Sequence, residues 1–392
     1  MTQTNTEASQ TKIVQTIAKE LGAGGAQVAA AVALLDEGST VPFIARYRKE
    51  VTGNLDDTQL RNLEERLLYL RELEERRAVI LASITEQGKL TDELRGAVEA
   101  AATKQALEDI YLPYKPKRRT RAQIAREAGL EPLADALFAA PTLDPQVEAA
   151  KYINDKPAAE NGVPDVKTAL DGARDILTER FAETAELLAK LRTRMWEQGI
   201  VTSKVAKGKE AAEAEKFRDY YDYSETIRTV PSHRALALFR GQALEVLTIS
   251  LDLVKELEAA VPHPCAAMIA THFGIEDRGR AADKWLPDVC GWTWRVRAHV
   301  PISSELLVQL REAAEAEAIK IFGRNLHELL LAAPAGPKAV LGLDPGIRTG
   351  CKVAAVDATG KLLETTTIYP HQPRNDWQGS LATLARMIVQ HN

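Results

Sequence analysis

At 392 residues the chain is long enough for two or three domains with real cores, and its net charge of −5 excludes attraction of nucleic acid by bulk charge, so any such site must be a local patch. Hydrophobic content of 45%, much of it Ala, with only 5% aromatics, favours helices. The three cysteines, Cys265, Cys290 and Cys351, are too far apart for metal-ligand spacing or a disulfide ladder. No apolar run reaches membrane-spanning length, and the first ten residues are polar with no charged-then-apolar leader. The expectation is a soluble cytoplasmic protein with no membrane partner and no small-molecule substrate.

Residues 1–10 are expected to be disordered. Helices follow over Lys12–Leu21 and Gln27–Leu35, each stopped by glycine. Pro42 suits the first turn of another helix. Phe43, Tyr47 and Val51, spaced by four, share one face of it and are expected to be buried. Arg46, Arg48 and Lys49 lie on other faces, either as a solvated surface or as phosphate contacts. Asp56-Asp57-Thr58-Gln59 has capping-box form and opens a helix to about Gln87, with Leu60, Leu63, Leu67 and Leu70 as its seam and a mixed-charge outer surface.

Tyr111 to Arg121 is the strongest binding candidate. Pro113 and Pro116 keep it extended. From Lys115 to Arg126 there are basic residues and no acidic one, which makes Lys115, Lys117, Arg118, Arg119 and Arg121 candidate phosphate contacts. Thr120 and Gln123 have capping spacing, so a helix is expected from near Arg121 to Gly129. Cations at its N-terminus oppose the macrodipole unless an external anion sits there. Tyr111 and Tyr114 are placed to stack on bases.

Leu143–Lys167 reads as a connection, and Thr168–Gly199 as helix. Ile200–Val205 is a short strand or an extended turn, Lys207–Tyr220 a charged helix, and Pro231 opens another. Leu247, Leu251, Val254 and Val261 mark a buried face. Trp285, Trp292 and Trp294 staple a loop-rich stretch. Ser303 or Ser304 caps a long helix over 305–331 with Leu306, Leu310, Ile321 and Leu329 inward. Ala333 to Pro337 is a linker.

After the linker the pattern changes. Val340–Leu343, Cys351–Val356 and Leu363–Tyr369 are strand-length runs separated by Asp344-Pro345-Gly346 and Asp357-Ala358-Thr359-Gly360, a three-strand meander with Asp344 at the tip of its first strand. A single Asp does not make a two-metal site, which needs several carboxylates.

The meander resembles the opening of an RNase H-like domain of the YqgF and RuvC kind. Three further runs, TVPFIARYRKEVTG (40–53), ALEDIYLPYKPKRRTRAQIAREAGLEPLA (106–134) and AEKFRDYYDYSETIRTVPSHRALALFRG (214–241), resemble the bacterial Tex family of RNA-binding transcriptional accessory proteins. The resemblance implies a mainly α protein: elongated helical regions over 1–200 and 201–335, with a helix-turn-helix-like unit, then a truncated α/β YqgF-like domain over 338–392. A full-length member is expected to continue through helix-hairpin-helix repeats to a C-terminal OB-fold, the family's main RNA-binding module. The implied function is non-catalytic binding of RNA or DNA beside the transcription machinery, without a cofactor. The alternatives are a Mg²⁺-dependent nuclease using Asp344 and a helical protein-binding scaffold. Residues 338–392 are expected to be poorly ordered or completed by another chain.

Overall fold

The computed structural model describes residues 3–116, 119–155, 157, 161–206, 212–253, 262–333, 336–346 and 349–391. It divides into two compact units, 1–315 and 316–392, and the chain is mainly helical as expected.

The first unit opens with α1 (Gln3–Leu21), α2 (Gly25–Asp36), α3 (Val41–Tyr47), α4 (Asp57–Glu86), α5 (Asp92–Ala100) and α6 (Lys104–Tyr111). Helix α1 begins well before Lys12, because Gln3–Gln10 contains no breaker and extends a helix anchored by buried Ile13 and Ile17. Helix α4 organises this core. Its cap forms as the sequence predicts: Asp56 Oδ1 accepts from the Gln59 N–H at 2.7 Å, and Gln59 Oε1 from the Asp56 N–H at 3.1 Å. Leu60, Leu63, Leu67 and Leu70 are buried. Its outer arginines are inter-helix clasps: Arg66 on Glu20 of α1, Arg71 on Asp36 of α2, Arg76 on Glu108 of α6. Arg77 is buried and donates to the carbonyls of Val98 and Ala101, which close α5.

The second core is formed by α7 (Arg121–Glu127), α8 (Glu131–Ala139), α9 (Pro145–Ala150), α10 (Val166–Ala182), α11 (Ala185–Gln198), α12 (Ser232–Ala243), α13 (Pro264–His272), α14 (Trp285–Thr293) and the N-terminal half of α15 (His299–Leu330). Within it lies an antiparallel sheet, ordered β2-β1-β3, of β1 (Ile200–Val205), β2 (Asp222–Thr226) and β3 (Leu247–Asp252). Leu247 and Leu251 are buried as expected, on a strand. A spacing of four also keeps to one face of a strand, and Ile249 between them completes the alternation. Val254 and Val261 lie outside the described residues, as do 207–211 of the expected charged helix, which is a 3₁₀ segment over Ala212–Tyr220.

The tryptophan stretch is helical, not loop-rich. It runs through α14 and one π-helical turn, Trp294–Ala298, directly into α15. Ser303 therefore sits inside α15 and caps nothing: its Oγ donates to the carbonyl of Leu251 at 3.2 Å, and His299 Nε2 lies 3.0 Å from the same oxygen. Leu306 and Leu310 are buried as expected. Ile321 and Leu329 are not, at 39% and 72% exposure, because the buried positions of this helix end at Ala314.

The second unit holds the expected meander, β4 (Val340–Asp344), β5 (Cys351–Val356) and β6 (Leu362–Ile368), antiparallel in that order, followed by α16 (Trp377–His391). Val353, Ile368 and Met387 form its small core.

Candidate nucleic-acid interface

The segment between α6 and α7 carries the basic run. Tyr111 ends α6 on the face turned to α4: its ring is buried, its hydroxyl lies 2.9 Å from Ser83 Oγ, and the Arg76 guanidinium sits over the ring. The expected stacking of bases on Tyr111 is therefore corrected. Tyr114 is half-buried against the same core, and its carbonyl accepts from Gln87 Nε2. Lys115 is exposed, with its ammonium 4.0 Å from Glu108. Lys117 and Arg118 lie outside the described residues.

Thr120 caps α7 as predicted, its Oγ1 accepting from the Gln123 N–H at 3.0 Å. Arg119 is turned along that helix. Its Nε and Nη2 reach Glu127 Oε2 at 3.0 and 2.5 Å, and Nη2 also donates to Asn161 Oδ1 at 2.8 Å. The guanidinium holds the Glu127 carboxyl below the usual carboxylate range. Arg121 is exposed on the first turn of α7.

Beside this segment is a cleft of about 650 Å³ between α6, α10, α11 and the start of α15. Its charges are compensated from within. Buried Glu179 accepts from Arg126 Nη1 at 2.8 Å, Thr120 Oγ1 at 3.0 Å and Arg297 Nη2 at 3.2 Å. Arg192 bridges Asp109 and Glu305 at 3.1 and 2.7 Å. Burial pushes the Glu305 carboxyl up, with Arg192 opposing it. Such a cleft holds α6, α10 and α15 together more than it attracts an external anion. The π-helical turn aims Arg297 at Glu179, and nothing in the sequence signals that turn.

The second basic cluster lies at the end of α3. Val41 and Ile44 are the buried face of this short helix. Phe43, Tyr47 and Val51 are not buried, which corrects the expected stripe: Phe43 is 39% and Tyr47 56% exposed. Helix α3 stops at Tyr47, so Lys49 and Val51 belong to the turn that follows and not to a continued helical face. Val41 and Ile44, three residues apart, take the core in their place.

The turn is fixed from behind. Thr52 is fully buried, and its one hydroxyl proton is shared between the carbonyls of Arg48 and Lys49, 3.3 and 3.4 Å from Oγ1. Gly53 takes φ of 60°, and its carbonyl accepts from Gln27 Nε2 at 2.6 Å. Arg46, Arg48 and Lys49 are all exposed, and among the described residues no carboxylate pairs with them. Arg48 lies over the Phe43 ring, its guanidinium carbon 5.3 Å from the centroid, and the Phe43 and Tyr47 centroids are 5.4 Å apart. Two exposed rings thus stand together with Arg48 over one of them, and Arg46 and Lys49 are exposed in the same short stretch of chain.

Asp344 ends β4, exposed and opposite Lys352 of β5. Among the described residues no group of three or more His, Cys, Asp and Glu side chains is placed to hold a metal ion.

Three family models match the chain in order: the Tex-like protein N-terminal domain over 11–85, the Tex central region over 140–322 and the Tex protein YqgF-like domain over 338–392. The chain belongs to the Tex family. It is 57% identical to Protein tex of Bordetella pertussis over 387 residues, covering 97% of this chain and 48% of that protein. It is 52% identical to Transcriptional accessory protein Tex of Neisseria gonorrhoeae over 380 residues, covering 97% of this chain and 48% of that one. A more distant relative is the human S1 RNA-binding domain-containing protein 1, 29% identical over 353 residues, covering 87% of this chain and 34% of that protein. The chain spans about half the length of the bacterial Tex relatives it matches.

Proposed function

We propose that this chain binds RNA or DNA as part of a transcription accessory factor, through sequence-independent phosphate contacts and with no chemical step of its own. The observation that carries the reading is the cluster Arg46, Arg48 and Lys49, exposed and without carboxylate partners among the described residues, on a chain whose net charge is −5. A net-negative protein repels a polyanion at long range, so binding has to come from local cations within about 10 Å of the phosphates, the Debye length at 0.1 M salt. Lys115 and Arg121 are a second exposed set, and Arg119 joins them once Glu127 is displaced. One relative's name, Transcriptional accessory protein Tex, and another's, S1 RNA-binding domain-containing protein 1, support the assignment. The site calls for no cofactor, and the working partners are nucleic acid and the transcription machinery in the cytoplasm. Mg²⁺ would enter only through Asp344, and among the described residues no group of three or more His, Cys, Asp and Glu side chains is placed to hold it.

The test is binding of labelled RNA and DNA over a salt series. Each phosphate contact contributes roughly 0.7–0.9 to the slope of log K against log salt. The triple variant Arg46→Ala, Arg48→Ala, Lys49→Ala should weaken binding and flatten the slope by about two. A variant that keeps the parent's affinity and slope removes this cluster from the interface. Mg²⁺-dependent cleavage that disappears in Asp344→Ala would overturn the non-catalytic reading.

A further inference from the structure

We infer that the C-terminal half of α15 is a self-association seam, on which the same helix of a second copy of this chain packs antiparallel, Phe322 of each copy against Leu326 of the other. The seam uses none of the residues of the nucleic-acid reading and stands or falls apart from it.

Three observations carry it. First, the stripe is apolar and open. The buried positions of α15 end at Ala314, yet Ile319, Phe322, Leu326, Leu329 and Leu330 follow, with Ile319 at 72% and Phe322 at 68% exposure. Large apolar side chains exposed together in one patch mark a contact surface, where scattered single ones do not. Second, the spacing is that of a helical partner. Steps of three, four and three place Ile319, Phe322, Leu326 and Leu329 at the a and d positions of two consecutive heptads, the narrow seam of a coiled coil. Glu317, Lys320, Arg324 and Glu328 fall on the opposite face. Third, the helix is already built. Ile302, Leu306, Leu310 and Ala314 anchor its first half in the second core, so the stripe stands on a continuous helix that loses little freedom on pairing.

The second copy follows from the flanks of the seam and from its symmetry. Partner choice in coiled coils is set by charges beside the seam or a polar residue within it. The flanking positions here are Ala318, Gly323, Asn325 and Leu330, which carry no charge to specify a foreign helix. Turned end for end about position 324, the stripe matches itself: Ile319 meets Leu329 and Phe322 meets Leu326, while Arg324 stays on the outer face. Gly323 fits this arrangement. A glycine inside a helix is destabilising relative to alanine, and a Cβ at Gly323 would meet nothing within 4 Å in its own chain, so the open space serves a helix that approaches from outside. A lipid surface is a poorer occupant, because an interfacial helix carries an excess of Lys and Arg opposite its apolar face, whereas Glu317 and Glu328 cancel Lys320 and Arg324.

The experiment is sedimentation velocity on the whole 392-residue chain, over a series from about 1 to 100 µM, the span in which a small seam should dimerise. The parent should pass from one copy to two. Its midpoint should move less than about two-fold between about 0.1 and 0.5 M salt, because no charge lies on the seam. Phe322→Ala and Leu326→Ala should each raise the dissociation constant about 30-fold or more, the size of an interface hot spot. Lys320→Ala, on the outer face, should leave it within about two-fold. Phe322→Lys and Leu326→Glu should each stay single alone and pair when mixed, since antiparallel packing sets position 322 of one copy against position 326 of the other. All three positions are exposed, so thermal midpoints near the parent's will confirm folded variants.

A parent that stays a single copy throughout the series overturns the inference, as does a dimer that Phe322→Ala leaves intact. A mixture that stays unpaired overturns the antiparallel contact of Phe322 with Leu326. If a single-copy parent co-sediments with vesicles of phosphatidylcholine and phosphatidylglycerol, lipid is the occupant and the second copy falls.

Discussion

Gln27 Nε2 donates to the Gly53 carbonyl at 2.6 Å while Gln27 Oε1 accepts from the Gly24 N–H at 2.8 Å, so one amide closes the start of α2 and holds the turn behind the α3 patch. Gln27→Ala removes both contacts. It should destabilise the chain by about 1–2 kcal/mol, the usual combined size of a lost cap and one hydrogen bond. Gly53→Ala should do at least as much, since φ is 60° and a Cβ there would stand 2.7 Å from Gln27 Nε2. Urea denaturation reads both, and unchanged midpoints would show that the turn is held by something else.

Arg77 is the cation that α4 buries. Its Nε donates to Val98 O at 3.0 Å and its Nη2 to Ala101 O at 2.7 Å, with Glu74 on Nη1. Arg77→Ala leaves two carbonyls at the end of α5 without the donors that Arg77 supplies and Glu74 with only Lys12, 3.9 Å away. A loss of about 2–4 kcal/mol is expected, the range for breaking a buried charged hydrogen-bond set. Arg77→Lys should recover only part of it, because an ammonium cannot span both carbonyls in the guanidinium's fork.

Glu127 occupies the guanidinium that the basic segment would otherwise offer to phosphate. Arg119 keeps its carboxyl below the usual range, so it remains charged at neutral pH. Glu127→Gln removes a negative charge from the interface and loosens Arg119. Nucleic-acid affinity should rise about two- to ten-fold, with the salt slope steeper by roughly one contact. Affinity that stays flat or falls in this variant would mean that Arg119 serves α7 and not a ligand.

Asp283 gives an acid signature. Its buried carboxylate accepts from the Arg280 side chain and from the N–H groups of Arg280 and Arg278, which lower its pKa from 3.8 to about 2. A depressed carboxylate stabilises the fold above its unfolded value, and the contribution fades as pH falls from about 4 through about 2. Asp283→Asn should therefore be less stable than the parent at pH 6, with the two converging near pH 2. A constant difference across that window would exclude ionisation as the source.

Cys265 and Cys290 are buried, and burial pushes both thiols up to about 12. Cys351 is buried in the second unit. A native chain should show almost no fast-reacting thiol toward a disulfide reagent at pH 8, and all three after denaturation. Rapid native labelling of one equivalent would locate an opening in one of the two cores.

Much of the helical architecture was legible because capping chemistry is local. Asp56 with Gln59, and Thr120 with Gln123, are pairs three residues apart whose geometry needs no tertiary knowledge. The meander was legible for the same reason, since its turn residues bracket alternating strands. What failed needed the third dimension. Phe43, Tyr47 and Val51 have the spacing of a buried stripe, but Val41 and Ile44 took the core, and spacing does not rank two faces of one short helix. Tyr111 looked like a stacking residue until α4 was placed against it. The basic run of 115–121 appeared uncompensated because Glu127 is one helix further along the chain, and folding brings it back to Arg119. Of the candidate contacts, Lys117 and Arg118 fall outside the described residues.

The two donors that α15 brings to the Leu251 carbonyl bear on how this chain avoids itself. Among the described residues strand β3 is an edge of its sheet, paired with β1 on one side only. An open edge is a template on which another molecule's strand can add, the first step toward aggregates. Ser303 Oγ and His299 Nε2 occupy the acceptor at Leu251, and His299 also lies 2.6 Å from the Asp252 carboxylate, so the end of this edge is already taken. A foreign strand would have to displace Ser303 and His299 to reach the Leu251 acceptor, so the anchoring of the first turns of α15 guards that end of the edge.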